Sequence, residues 1–259
     1  MRRRRSIPLA GVLVVTFLFA PSILANTDNA QKSRPGAGTS HARVVSLSLV
    51  EGTVITRGPG STKWTLATLD TPIEEGVSLA TAKHSLVEVQ FEDGSTARLG
   101  EISYIEFAEL ELGPHGAYIN HFTLDVGTAT IHVISRRHEQ YVLNASGVSL
   151  ATRGRSEFRT DLQHGHLRVE VFQGQIQAVD SNHSEKLRKN DAVAYDRGGS
   201  GVFEEASSRI QTDEWDEWVH ARDVQLNLAS FAIQRDPIYS LDGLVPYGGA
   251  GQPPAWAGY

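Results

Sequence analysis

From residue 41 to about residue 203, apolar and polar positions alternate in short runs, the two-residue period of strands with one buried face. Residues 43–50 and 86–91 alternate cleanly, and Glu92-Asp93-Gly94-Ser95 then leads into an apolar return over 96–99. Asp-Gly between alternating runs predicts a tight hairpin of type I′, with positive φ at both central residues. Further strand runs fall at 104–107, 118–124, 128–134, 140–143, 148–152, 156–160, 167–172 and 175–179. A spacing of about ten residues per strand suggests a sandwich or barrel. An apolar-x-x-Gly-x-apolar unit recurs at Gly52, Gly127 and Gly174, each a place for a strand to bend or bulge.

Two segments break this texture. Arg2 to Arg5, a twelve-residue apolar run over 9–20, Pro21 and a small residue at Ala25 form the three parts of a secretory signal peptide. The run is short for a membrane span, so residues 1–25 read as a cleaved signal, with membrane attachment only if it is not processed. Residues 26–40 read as a flexible polar leader. Past Glu204 the period changes to that of a helix, over 205–235, with Ser208 and Gln211 as its expected capping pair. Trp215, Trp218, Val219, Arg222 and Leu226 share one face. Residues 236–259 form a Gly/Pro-rich tail that reads as irregular. The expected fold is an all-β, jelly-roll-like antiparallel sandwich over 41–204, then one amphipathic helix and the tail.

Charge and composition narrow the function. The chain has 259 residues, with 24 Lys+Arg against 30 Asp+Glu, for a net charge of −6. Its first 25 residues hold four arginines and no acid, so the remainder carries −10. An acidic body argues against nucleic acid as a partner. The absence of cysteine removes disulfides, thiolate metal sites, a cysteine nucleophile and lipoprotein acylation.

Candidate chemistry is sparse. No phosphate loop, dinucleotide fingerprint or Gly-x-Ser-x-Gly elbow occurs, so neither a nucleotide nor a hydrolase serine is expected. His164-Gly165-His166 reads as a polar hairpin tip, and His121 and His132 as exposed strand positions. No metal or other cofactor is expected. Glu88 and Glu92 read as solvent-facing charge beside the hairpin. The expectation is a protein that is not an enzyme. Trp215, Trp218 and Arg222 are the candidate partner-binding residues, since Trp and Arg concentrate at interface hot spots. The alternative is that these aromatics only pack, through Trp218 and Val219, with Trp215 nearer the surface and Arg222 reaching an acid or carbonyl at the edge.

An ordered set of fragments resembles the FecR domain: Leu47-Ser48-Leu49-Val50-Glu51-Gly52-Thr53-Val54, then Trp64, then Glu74-Glu75-Gly76-Val77, then Val87-Glu88-Val89-Gln90-Phe91-Glu92-Asp93-Gly94-Ser95, and later Val171-Phe172-Gln173-Gly174-Gln175-Ile176. The resemblance implies a periplasmic sandwich whose better-understood relatives sit in the inner membrane and regulate a sigma factor. Only eight residues precede the apolar run, so a cytoplasmic sigma-binding segment is not expected. The expected function is a sensing or protein-interaction module in the periplasm or cell envelope, with an envelope protein or cell-wall component as partner. The alternative is a carbohydrate- or cell-wall-binding module, which needs coplanar exposed rings among Trp64, Tyr104, Tyr118, Tyr141 and Tyr195.

Overall fold

The computed structural model describes residues 43, 45–113, 116–134, 139–152, 154–196, 210 and 212–235, with side chains up to 227. The expected signal, leader, capping pair and tail lie outside these residues. The elements are β1 (Ser46–Glu51), β2 (Val54–Arg57), β3 (Thr65–Leu66), β4 (Ser78–Thr81), β5 (Leu86–Gln90), β6 (Thr96–Leu99), β7 (Tyr104–Leu112) and β8 (Tyr118–Val133). They continue with β9 (Gln140–Ala145), β10 (Val148–Thr152), β11 (Ser156–Gln163), β12 (His166–Gln173), β13 (Gln175–Val179), β14 (Ser184–Arg188), β15 (Ala192–Asp196) and α1 (Glu214–Arg235).

The strands build two sheets around one apolar core. The first runs β1-β5-β6-β8-β11-β12-β15. The second runs β3-β2-β4-β7-β8-β9-β10-β13-β14. Inward residues of both, such as Val87, Val89, Leu99, Ile131 and Phe158 from one and Leu79, Phe107, Phe122 and Leu143 from the other, join a single cluster. Phe122 is central to it, with Phe91, Phe107 and Tyr141 around its ring at 5.6, 5.4 and 6.4 Å between centroids. The β-sandwich with one C-terminal helix is therefore present. One pairing departs from the antiparallel expectation: β8 and β9 run parallel.

β8 belongs to both sheets. Residues 118–126 pair with β7 and β9, and residues 127–133 pair with β6 and β11. The sequence pattern divides this segment into two strands, but it is one strand of 16 residues that changes sheet at Gly127. Gly127 has φ +100°, and a Cβ there would lie 2.1 Å from Ser103 Oγ and 2.4 Å from Ser103 Cα. Only a residue without a side chain passes this crossing. The Ser103 hydroxyl stitches it by accepting the Thr128 N–H at 3.0 Å.

The β5–β6 hairpin stands where the Asp-Gly signal places it, with a different turn. Gly94 has φ +83°, while Asp93 is not among the positive-φ residues. Gly94 N–H bonds to the Phe91 carbonyl at 2.9 Å and Phe91 N–H to the Ser95 carbonyl at 2.9 Å. This is the pattern of a turn closed by a left-handed glycine bulge, in place of the expected two-residue type I′ loop. Asp93 prefers this because its carboxylate accepts both the Ser95 N–H and the Ser95 hydroxyl, each at 2.9 Å. Gly94→Val is expected to destabilise the fold by about 1 kcal/mol or more, since a β-branched residue resists positive φ. A variant that melts with the parent would contradict this turn.

Candidate functional site

Alternation on the first sheet sends Val87, Val89, Ala97, Leu99, Ala129, Ile131 and Phe158 into the core. It therefore sends Glu88, Arg98, Thr130, His132, Glu157 and Arg159 out the other side. Register then lines these up. Glu88 stands opposite Arg98, Arg98 opposite Thr130, and Thr130 opposite Arg159, across four strands. Thr96, His132 and Glu157 form the adjacent row. The outer face of the sheet thus carries a band of charge.

α1 lies on that band as a third layer. Positions 215, 216, 219, 222 and 223 fall on one helical face at i, i+3, i+4 and i+7 spacing. Trp215 Nε1 donates to Thr130 Oγ1 at 2.9 Å. Val219 is buried. Arg222 donates to Glu88 Oε1 at 2.8 and 3.1 Å and to the Ser48 carbonyl at 3.4 Å. Asp223 accepts from Arg98 at 2.6 Å through Oδ1, and its Oδ2 lies 3.2 Å from His132 Nδ1. Arg98 donates to Glu88 Oε2 at 2.7 Å. The side chains of Arg98 and Glu88 have no exposed surface, so this ion pair is sealed beneath the helix. Glu88 and His132, expected at the surface, are corrected here: Glu88 is fully buried and His132 is largely covered. Glu92, its expected companion in solvent, is held at 2.9 Å by Arg43.

Electrostatics follow from the pairing. Burial alone would raise the Glu88 carboxyl, but the Arg222 hydrogen bond, the Arg98 charge and the Ser48 hydroxyl hold it below the usual range. Burial likewise opposes ionisation of Asp223, and His132 and Arg98 together overcome it and lower its pKa. Glu157 is pushed up, by burial first and by the Asp223 charge, against the attraction of His132, Arg98 and His220. Both lowered acids contribute stability above the ordinary carboxylate pKa and lose it as pH falls through their depressed values.

The first turn of α1 supplies a second ionic group. Asp213 caps the helix, accepting the N–H of Trp215 at 3.0 Å and of Asp216 at 3.3 Å. Asp216 returns the bond by accepting the Asp213 N–H at 3.0 Å. This reciprocal arrangement is a capping box, five residues downstream of the expected pair at Ser208 and Gln211, and the helix accordingly starts at Glu214. Arg159 reaches both acids, at 2.8 Å to Asp213 and 3.0 Å to Asp216. Burial and the neighbouring Asp213 push the Asp216 carboxyl up to about 6 despite Arg159. A raised carboxyl favours the protonated folded state, so this contribution is lost as pH rises from about 4 through 6. Asp216→Asn, which cannot ionise, is expected to gain stability relative to the parent between pH 4 and 7. Parallel stability curves for the two proteins in urea would exclude the shift.

The three candidate partner-binding residues come together. Trp215 and Trp218 stack at 5.1 Å between centroids with 26° between rings, both half-buried, and Arg222 reaches Glu88 on β5 and the Ser48 carbonyl on the edge strand β1. Trp215, expected nearer the surface, is anchored to the sheet, since its ring carbons would lie 3.6 Å from a Cβ on Gly100 and its Nε1 donates to Thr130. His164 and Gly165 form the expected exposed turn, with φ +52° and +85°. Trp64 and Tyr104 meet edge-on at 65°, and Tyr141 is buried, so these three rings do not form a coplanar platform.

The family model described as FecR protein matches residues 77–177. Over this stretch the chain is similar to FecR proteins. The stretch includes Glu88, Arg98, Thr130, His132, Glu157 and Arg159 of the band and ends before α1. No curated protein matches the chain. Two crystal structures of a candidate anti-sigma factor from Parabacteroides distasonis ATCC 8503 are similar to it. One shows 11% identity and a TM-score of 0.46 over 55% of this chain and 64% of the other. The second shows 12% identity and a TM-score of 0.42 over 49% and 57%. The chain thus spans less than two thirds of either protein's length. Among the described residues no helix is long and apolar enough to cross a membrane.

Proposed function

We propose that this chain is a non-enzymatic sensing or protein-interaction module, exported to the periplasm or cell envelope of a bacterium. The observation that carries this reading is the FecR match over residues 77–177, since FecR proteins are regulators associated with the envelope. The basic, apolar and small-residue segments of residues 1–25 support export. In this reading α1 is the contact element. Trp215 and Trp218 keep part of their stacked rings at the surface, while Arg222 is committed to Glu88.

The test uses the full chain expressed in its own bacterium with a C-terminal tag. Osmotic shock is expected to release a protein beginning at Asn26, and a full-length product confined to the cytosol would contradict export. Cross-linking in cells followed by mass spectrometry is expected to join α1 to an envelope protein. Cross-links that avoid α1 would reject its role, and recovery of glycan alone would favour the cell-wall-binding alternative.

A further inference from the structure

His132, Glu157 and Asp223 are 25 and 66 residues apart in sequence, and they come from β8, β11 and α1. The fold gathers them so that one ligand atom from each lies within 4.8 Å of the others. His132 and Glu157 are directly opposite in the β8–β11 register, so the sheet fixes two of the three. The helix delivers the third.

Asp223 divides its oxygens. Oδ1 takes the Arg98 guanidinium at 2.6 Å, and Oδ2 faces His132 Nδ1 at 3.2 Å. Arg222 is turned to Glu88 at 2.8 Å. Glu157 has no ion pair with either arginine among the described residues. One imidazole and two carboxylates therefore face a common point, and the two acids repel each other there. All three side chains are part-buried, which leaves an approach for an ion and for a water as fourth ligand.

We propose that His132, Glu157 and Asp223 bind one zinc-class divalent cation that clasps α1 to the outer face of the sheet. Tetrahedral zinc bonds of about 2.0–2.2 Å place neighbouring ligand atoms about 3.3 Å apart. The His132–Asp223 separation of 3.2 Å already fits this spacing. Rotation of the Glu157 side chain closes the rest. An imidazole with only two carboxylates suits zinc, and neither the oxygen cage of calcium nor the hydrated octahedron of magnesium. The role is structural: the ion replaces repulsion between Glu157 and Asp223 with attraction across three elements.

The experiment uses the full-length purified protein without a histidine tag, stripped with chelator and titrated with zinc chloride by calorimetry. Saturable binding of one ion per chain is expected, together with a rise in melting temperature that grows with zinc concentration. Glu157→Gln and His132→Gln are each expected to weaken binding at least about tenfold. His166→Gln, at the exposed start of β12, is expected to bind like the parent. Asp223→Asn is less informative because it also breaks the Arg98 pair. Should the Gln variants misfold, crystals of the parent soaked in zinc decide the matter by anomalous scattering. A peak between the three side chains supports the clasp. A peak elsewhere, non-saturable binding, or parental affinity in both Gln variants overturns it.

Discussion

Glu88→Ala is expected to destabilise the protein by about 3–5 kcal/mol, the cost of leaving a buried charge without its partner. Glu88 meets Arg98 at 2.7 Å and Arg222 at 2.8 Å with no exposed side-chain surface. Its removal leaves the Arg98 guanidinium, which is equally enclosed, with Asp223 as its remaining acid. The loss should appear as a lower urea midpoint. Replacing Glu88 and Arg98 together by methionine is expected to cost less than the single alanine, because the fully enclosed Arg98 charge is removed with its partner, while Arg222 and Asp223, nearer the surface, are left to water and His132. A single variant within about 1 kcal/mol of the parent would mean that water reaches Arg98 and that α1 does not seal this pair.

Gly127→Val is expected to have the second large effect, a loss above about 4 kcal/mol or outright failure to fold. The new Cβ would sit 2.4 Å from the Ser103 Cα, and main chain cannot move aside as a flexible side chain can. Valine also resists φ +100°. Both penalties fall where β8 changes sheet, so relief would require the two sheets to part. Soluble yield and melting temperature report the outcome. A variant that melts near the parent would mean that β8 does not take this crossing.

Local features of this fold were readable from the chain. The β5–β6 hairpin declares itself because Leu86 to Leu99 alternate on both sides of Asp93-Gly94. The helix declares itself because its apolar stripe has helical period. The recurring glycine marks the β8 crossing, but the two apolar runs flanking Gly127 look like two strands, since a change of sheet leaves no signature in a two-residue period. β14 and β15 were not recognised, because their pairing with β13 and β12 is a long-range matter and β14 is mostly polar.

The ionic seam was illegible for a different reason. In a two-layer sandwich, Glu88, Arg98, His132, Glu157 and Arg159 are ordinary outward positions. They become interior only when a third layer arrives. Opposite charges at the centres of neighbouring strands, together with Arg222-Asp223 on the stripe of the helix, were the signal that could have joined them. Histidine counting likewise could not find a cluster whose members come from three elements.

The order in which the seam closes is written in its sequence separations. Glu88 and Arg98 are 10 residues apart, whereas Arg222 lies 134 residues from Glu88 and Asp223 lies 125 from Arg98. Closing the longer loop costs about 2 kcal/mol more chain entropy than closing the hairpin. The hairpin pair therefore forms while still wet, and its dehydration is deferred to the arrival of the helix. During synthesis, residues 214–235 also emerge after every described strand is complete. Docking of the helix is thus a late, separable step in maturation, and until it happens the sheet displays its charges to the surrounding water.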